Sequence, residues 1–179
     1  MITKKTSITE YALKWGAIIG VISIALSLIL FLTNQMENRL LPWLITAITI
    51  VIYYLQVKNY RDKELNGFMN FNSAFGLCFQ MSIFSGILNI IYAMLFRYVI
   101  SPNTFTILMD HEKQKMYEKG LTEDQVDTAM KYANMFQTPI VLLIMMIVGT
   151  LIMGAIISLI VAAICKKEKS LFAEEFLEK

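Results

Sequence analysis

The stretch Asn72 to Ile100 reads NSAFGLCFQMSIFSGILNIIYAMLFRYVI. Arg97 is its only charged residue, and the 32 residues from 65 to 96 carry no charge at all. A helix of about 20 apolar residues already crosses the hydrocarbon of a bilayer. The stretch is therefore expected to form a membrane-spanning helix over 74–98. A soluble domain would have to bury the whole run, and buried soluble helices are usually shorter.

Three more uncharged runs surround it: 15–36, 40–57 and 132–165, which are 22, 18 and 34 residues long. The chain is 56% hydrophobic and 17% charged, against about 45–50% and about 25% in ordinary soluble domains. Four such runs in 179 residues leave little room for a separate soluble core. The expected fold class is all-α: a four-helix transmembrane bundle with an extracytoplasmic helical hairpin between spans 3 and 4. One membrane domain covers 1–179, with spans at about 15–33, 40–57, 74–98 and 139–165 and the hairpin at 103–138.

The punctuation of the chain supports these limits. Residues 1–14 are polar and carry Lys4, Lys5 and Lys14. The run from Trp15 to Leu32 is too long for a secretory h-region and lacks an A-x-A site, so it reads as an uncleaved first span. Asn34 to Arg39 is a short link, and Pro42 falls in the first turn of the second span, where its missing N–H does no harm. The segment 58–73 reads as a charged loop with a turn at Asn66-Gly67, and Asn72 or Ser73 can cap the third span. Ser101-Pro102 stops that span. Asn103 to Lys119 reads as a helix ended by Gly120. Thr122 and Gln125 form a capping box, Leu121 can staple to Val126, and the second hairpin helix should reach about Gln137. The hairpin holds four lysines and six acids. Pro139 opens the fourth span, Lys166, Lys167 and Lys169 end it, and an acidic tail, 170–179, follows with Leu171, Phe172, Phe176 and Leu177 able to touch a surface.

Four spans put both ends on one side. That side would hold ten basic residues in short segments; the other holds six, four of them in the acidic hairpin. Short basic segments face the cytoplasm, so both termini are expected inside. Net charge is only +2, which gives no reason to expect nucleic-acid binding.

Small and polar residues mark the helix faces. The third span carries Cys78, Ser82, Gly86, Asn89 and Ala93 at spacings of three and four, with Arg97 one turn further on; these share one face. That face is expected to be a packing seam, because small residues let membrane helices approach. The sharper reading is a polar path ending at Arg97, although a charge near a helix end can also snorkel to the interface. Gly16 and Gly20 form a small-residue face on the first span. Gly154 and Ser158 do so on the fourth, and contacts inside the bundle are expected for both. Cys78 and Cys165 read as small apolar packing residues. The single histidine, His111, lies between Asp110 and Glu112, and adjacent helical residues point apart, so a metal site is not expected there. No catalytic, cofactor or metal-binding motif is present, no carboxylate lies within a span, and the chain is not expected to be an enzyme.

Taken together, several motifs resemble the bacterial membrane proteins grouped as domain of unknown function 4199. They are Glu10-Tyr11-Ala12 leading to Gly16 and Gly20, Tyr60-Arg61-Asp62-Lys63-Glu64-Leu65 with Gly67-Phe68, and Ser73-Ala74-Phe75. Ile100-Ser101-Pro102, the hairpin Gly120-Leu121-Thr122-Glu123-Asp124-Gln125, and Gly154 to Lys167 complete the pattern. Ala12 departs from it, since a glycine is expected there. The resemblance implies four spans and carries over no catalytic residue. The resulting expectation is a structural or interaction module of the bacterial inner membrane. Its partners would be the bilayer, a protein bound through 103–138, or a second copy of the chain. The alternative is a small transporter or channel using the polar face of span 3.

Overall fold

The computed structural model describes residues 7–33, 35, 40–136 and 138–167. Lys4 and Lys5, the link residues Glu37 and Arg39, Gln137, and Lys169 with the tail 170–179 lie outside the described residues. Among those described there are six α-helices, one π-helical turn and no strand. The helices are α1 (Ile8–Leu32), α2 (Leu40–Glu64), α3 (Phe71–Leu95), α4 (Pro102–Glu118), α5 (Glu123–Met135) and α6 (Pro139–Cys165); the π turn, Phe96–Ile100, continues α3.

Helix ends follow local chemistry. α1 starts seven residues before the expected span, because Ser7 and Glu10 close a capping box: Ser7 Oγ accepts from the Glu10 N–H at 3.1 Å and Glu10 Oε2 from the Ser7 N–H at 3.3 Å. α2 does not stop at residue 57 but continues through Lys58, Arg61, Asp62 and Lys63 to Glu64. Charge ends a membrane core; it does not end a helix whose backbone bonds remain available. The expected loop 58–73 shrinks accordingly, with Asn66 (φ 54°) and Gly67 (φ 85°) making its turn. The cap of α3 is Asn70, whose Oδ1 accepts from the Ser73 N–H at 2.8 Å, rather than Asn72 or Ser73. α6 begins and ends where Pro139 and Lys166 place it.

Three helices among the described residues are long and apolar enough to cross a membrane: α1, α3 with its π turn (Phe71–Ile100), and α6. The described residues divide into two compact units, one running to Leu88 and resuming at Thr150, the other Asn89–Gly149.

In the first unit the core is made by Ala12 and Ile19 of α1, Tyr53, Val57 and Tyr60 of α2, Leu77, Cys78 and Met81 of α3, and Val161, Ala162 and Cys165 of α6. Tyr53 of α2 and Ser85 of α3 are both buried. In the second unit α4 packs on the π turn and on α5. Gly120 turns the chain between the two helices at φ 82°, with its N–H bonded to Tyr117 O at 2.9 Å. Gln125 Oε1 accepts from the Thr122 N–H at 3.0 Å, completing the capping box, and Val126 is fully buried beneath it.

Candidate functional site: a small-residue seam and a basic clasp

The seam is built from residues with little or no side chain. At Gly16 an added Cβ would stand 2.7 Å from the carbonyl oxygen of Met81 and 2.8 Å from Phe84 Cβ. At Gly20 it would stand 3.0 Å from Leu88 Cδ1 and 3.3 Å from Ser85 Cα. α1 therefore lies against α3 almost backbone to backbone, which only glycine permits. The other contact pairs Gly86 of α3 with Thr150 of α6, and Gly154 of α6 with Ser82 of α3. The Ser82 hydroxyl donates back to Phe79 O at 2.8 Å, so its polar atom is satisfied within its own helix. Ser158 is fully buried on the same stretch of α6.

Asn89 and Arg97 belong to the second unit, both partly buried. The Arg97 guanidinium lies 3.9 Å from the centroid of the Phe105 ring and 5.7 Å from that of Tyr98. Cation–π contact with Phe105 of α4 thus engages this charge. His111, on α4, is partly buried.

The second feature lies in the first unit, around the end of α6, and the sequence alone gave no sign of its contacts. Met69 and Lys167 exchange two backbone hydrogen bonds, 2.9 and 2.8 Å, as an isolated antiparallel bridge. Arg61 Nη1 donates to Cys165 O at 3.0 Å, satisfying one of the carbonyls a helix C-terminus leaves open. Arg61 Nε donates to Asp62 Oδ1 at 2.8 Å. That bond, then the charges of Arg61, Lys58 and Lys167, hold the Asp62 carboxyl below its ordinary range.

Aromatic rings lie under the lysines of this region. Lys167 Nζ is 5.6 Å from the Phe68 centroid, Lys58 Nζ 6.0 Å from that of Tyr54, and Lys14 Nζ 6.0 Å from that of Trp15. Behind them Tyr11 packs edge-on to Tyr60 with centroids 4.8 Å apart. The Tyr11 hydroxyl donates to Gln56 Oε1 at 3.1 Å and accepts from Asn59 Nδ2 at 3.3 Å. The arrangement can hold anions and fix helix ends. Among the described residues no three His, Cys, Asp or Glu side chains come together as metal ligands.

Six α-helices among the described residues, three of them long and apolar enough to cross a membrane, and glycine-mediated helix contacts point to the membrane-protein class. The chain belongs to the family described as protein of unknown function (DUF4199), whose model matches residues 14–167. No curated protein and no solved structure matches the chain.

Proposed function

We propose that the protein is a multi-pass resident of the bacterial inner membrane that crosses it four times, keeps both termini in the cytoplasm and serves as a non-catalytic interaction module. The observation that carries the fourth crossing is the surface of α2. Leu40, Leu44, Ile48, Val51 and Leu55 form one exposed apolar stripe, with Trp43 75% exposed beside it, while Tyr53, Val57 and Tyr60 are buried on the other side. A soluble protein rarely leaves such a stripe in water; a bilayer covers it at no cost. The cytoplasmic assignment of the termini rests on ten basic residues in short segments against six on the other side.

The interacting element is the hairpin of α4 and α5. It is polar overall yet exposes Ile107 together with Tyr117, Tyr132, Met135 and Phe136, and tyrosine, methionine and phenylalanine are enriched where proteins bind one another. Its occupant is a protein partner or a second copy of the chain. The alternative role, transport along the third span, is weakened by the contacts of Ser82 and Gly86 with α6, which leave Asn89 and Arg97 as its residues.

Tags at the two ends and a cysteine in place of Glu123 test the topology with an impermeant maleimide on intact cells. Cytoplasmic ends and a labelled hairpin are expected; ends that react from opposite faces refute four crossings. A photocrosslinker at Tyr132 should give discrete adducts, and a variant at Lys113 on the facing helix serves as comparison. For transport, Asn89→Ala and Arg97→Gln with unchanged flux would remove the alternative.

A further inference from the structure

The uncharged run of α2 stops at Val57, and α6 stops at Cys165. Beyond these two points stand Lys58, Arg61, Lys63, Lys166 and Lys167, against Asp62 and Glu64. Two of the lysines are held over rings: Lys58 over Tyr54 and Lys167 over Phe68. Neither forms a salt bridge among the described residues. Arg61 is oriented by Asp62 and by Cys165 O, and its side chain is only 15% exposed.

We infer that this cluster binds the phosphate of an anionic glycerophospholipid headgroup, with Lys58 and Lys167 as the charge partners and Arg61 as the group that keeps α2 and α6 in register around it. The inference rests on the reading that the chain spans a bilayer. In that setting the cluster lies in the headgroup layer, directly above the apolar surface that acyl chains would cover. Exposed Leu55 of α2 and Ile164 of α6 are the last parts of that surface. The ligand thus meets cations at one end and apolar side chains at the other. A free phosphate ion would gain only the first, so the commitment is to a lipid. An aromatic ring under each ammonium suits the same layer, where rings with one wet edge accumulate.

The test uses the full chain in neutral detergent, with phosphatidylglycerol or phosphatidylcholine added and retention read by native mass spectrometry. The wild type should retain phosphatidylglycerol in preference to phosphatidylcholine. The double variant Lys58→Gln, Lys167→Gln should bind phosphatidylglycerol roughly thirtyfold more weakly, from the contribution of two lysines near an anionic surface. Lys58→Arg, Lys167→Arg should restore the preference and control for folding, and Lys131→Gln on α5 should leave it unchanged. Equal retention of both lipids by the wild type, or an unchanged preference in the glutamine variant, overturns the inference. Displacement by millimolar inorganic phosphate overturns the choice of a lipid. A chain that still fractionates with membranes while showing no preference refutes this inference and leaves the spanning reading intact.

Discussion

Gly16→Ala is the sharpest probe of the seam. The new Cβ would meet the Met81 carbonyl oxygen at 2.7 Å and Phe84 Cβ at 2.8 Å, where ordinary contact begins at 3.4 Å. The first atom is backbone and the second is fixed to it, so neither can rotate away. α1 must then move off α3 by about 0.7 Å, the difference between 3.4 and 2.7 Å. A gap of about 0.5–1 Å forfeits roughly a quarter to a half of each dispersion contact along the seam. Overpacking of this kind costs about 1–3 kcal/mol, and the better helix propensity of alanine returns up to about 1 kcal/mol. The net loss should be about 0–3 kcal/mol, or up to roughly 12 °C in Tm for a chain of this size, and relative to an alanine that meets nothing it is the full 1–3 kcal/mol. Gly76→Ala is the matched control, since a Cβ there meets nothing within 4 Å; it should hold Tm or raise it slightly. Thermal unfolding in a mild detergent reads both. If Gly16→Ala is as stable as Gly76→Ala, the close approach of α1 and α3 is wrong.

Three further outcomes are expected. Gly154→Ala should lower Tm because Ser82 must turn and give up its bond to Phe79 O, a loss of about 1 kcal/mol; adding Ser82→Ala should restore most of it. Arg61→Gln removes the bonds to Asp62 and to Cys165 O, and should cost about 1.5–3 kcal/mol while speeding tryptic cleavage at Lys166 and Lys167. Asp62 has its carboxyl held down by Arg61, so its contribution is complete above the ordinary carboxylate range and is lost as pH falls through the lowered folded value. A shallow drop in Tm below about pH 4 is expected, it should vanish in Asp62→Asn, and its small size follows from the group's contact with solvent, which screens the pair.

How much of this the chain announces depends on how local each signal is. The limits of α6 are legible because Pro139 and Lys166 are signals read one residue at a time. The turn at Gly120 and the capping box at Thr122 are legible for the same reason. The start of α1 had an equally local signal, Ser7 with Glu10, hidden in a segment whose polarity suggested a flank. The extension of α2 to Glu64 was obscured because side-chain charge marks where lipid ends and says little about where backbone hydrogen bonds end. Gly16, Gly20 and Gly154 announce that something packs closely, but they do not name the partner; Met81, Leu88 and Ser82 emerge only from the folded arrangement. Least legible of all is the bond from Arg61 to Cys165 O, which joins groups 104 residues apart with no spacing rule between them.

The bridge between Met69 and Lys167 has a mechanical corollary. The polypeptide that leaves α6 is stitched to the connection between α2 and α3 before it goes any further. A pull on Lys167 is therefore felt by two backbone hydrogen bonds of 2.8 and 2.9 Å and by the guanidinium of Arg61 as well as by the helix. Because Met69 lies two residues beyond the turn at Asn66 and Gly67, the end of α6 and that turn are held as one mechanical unit.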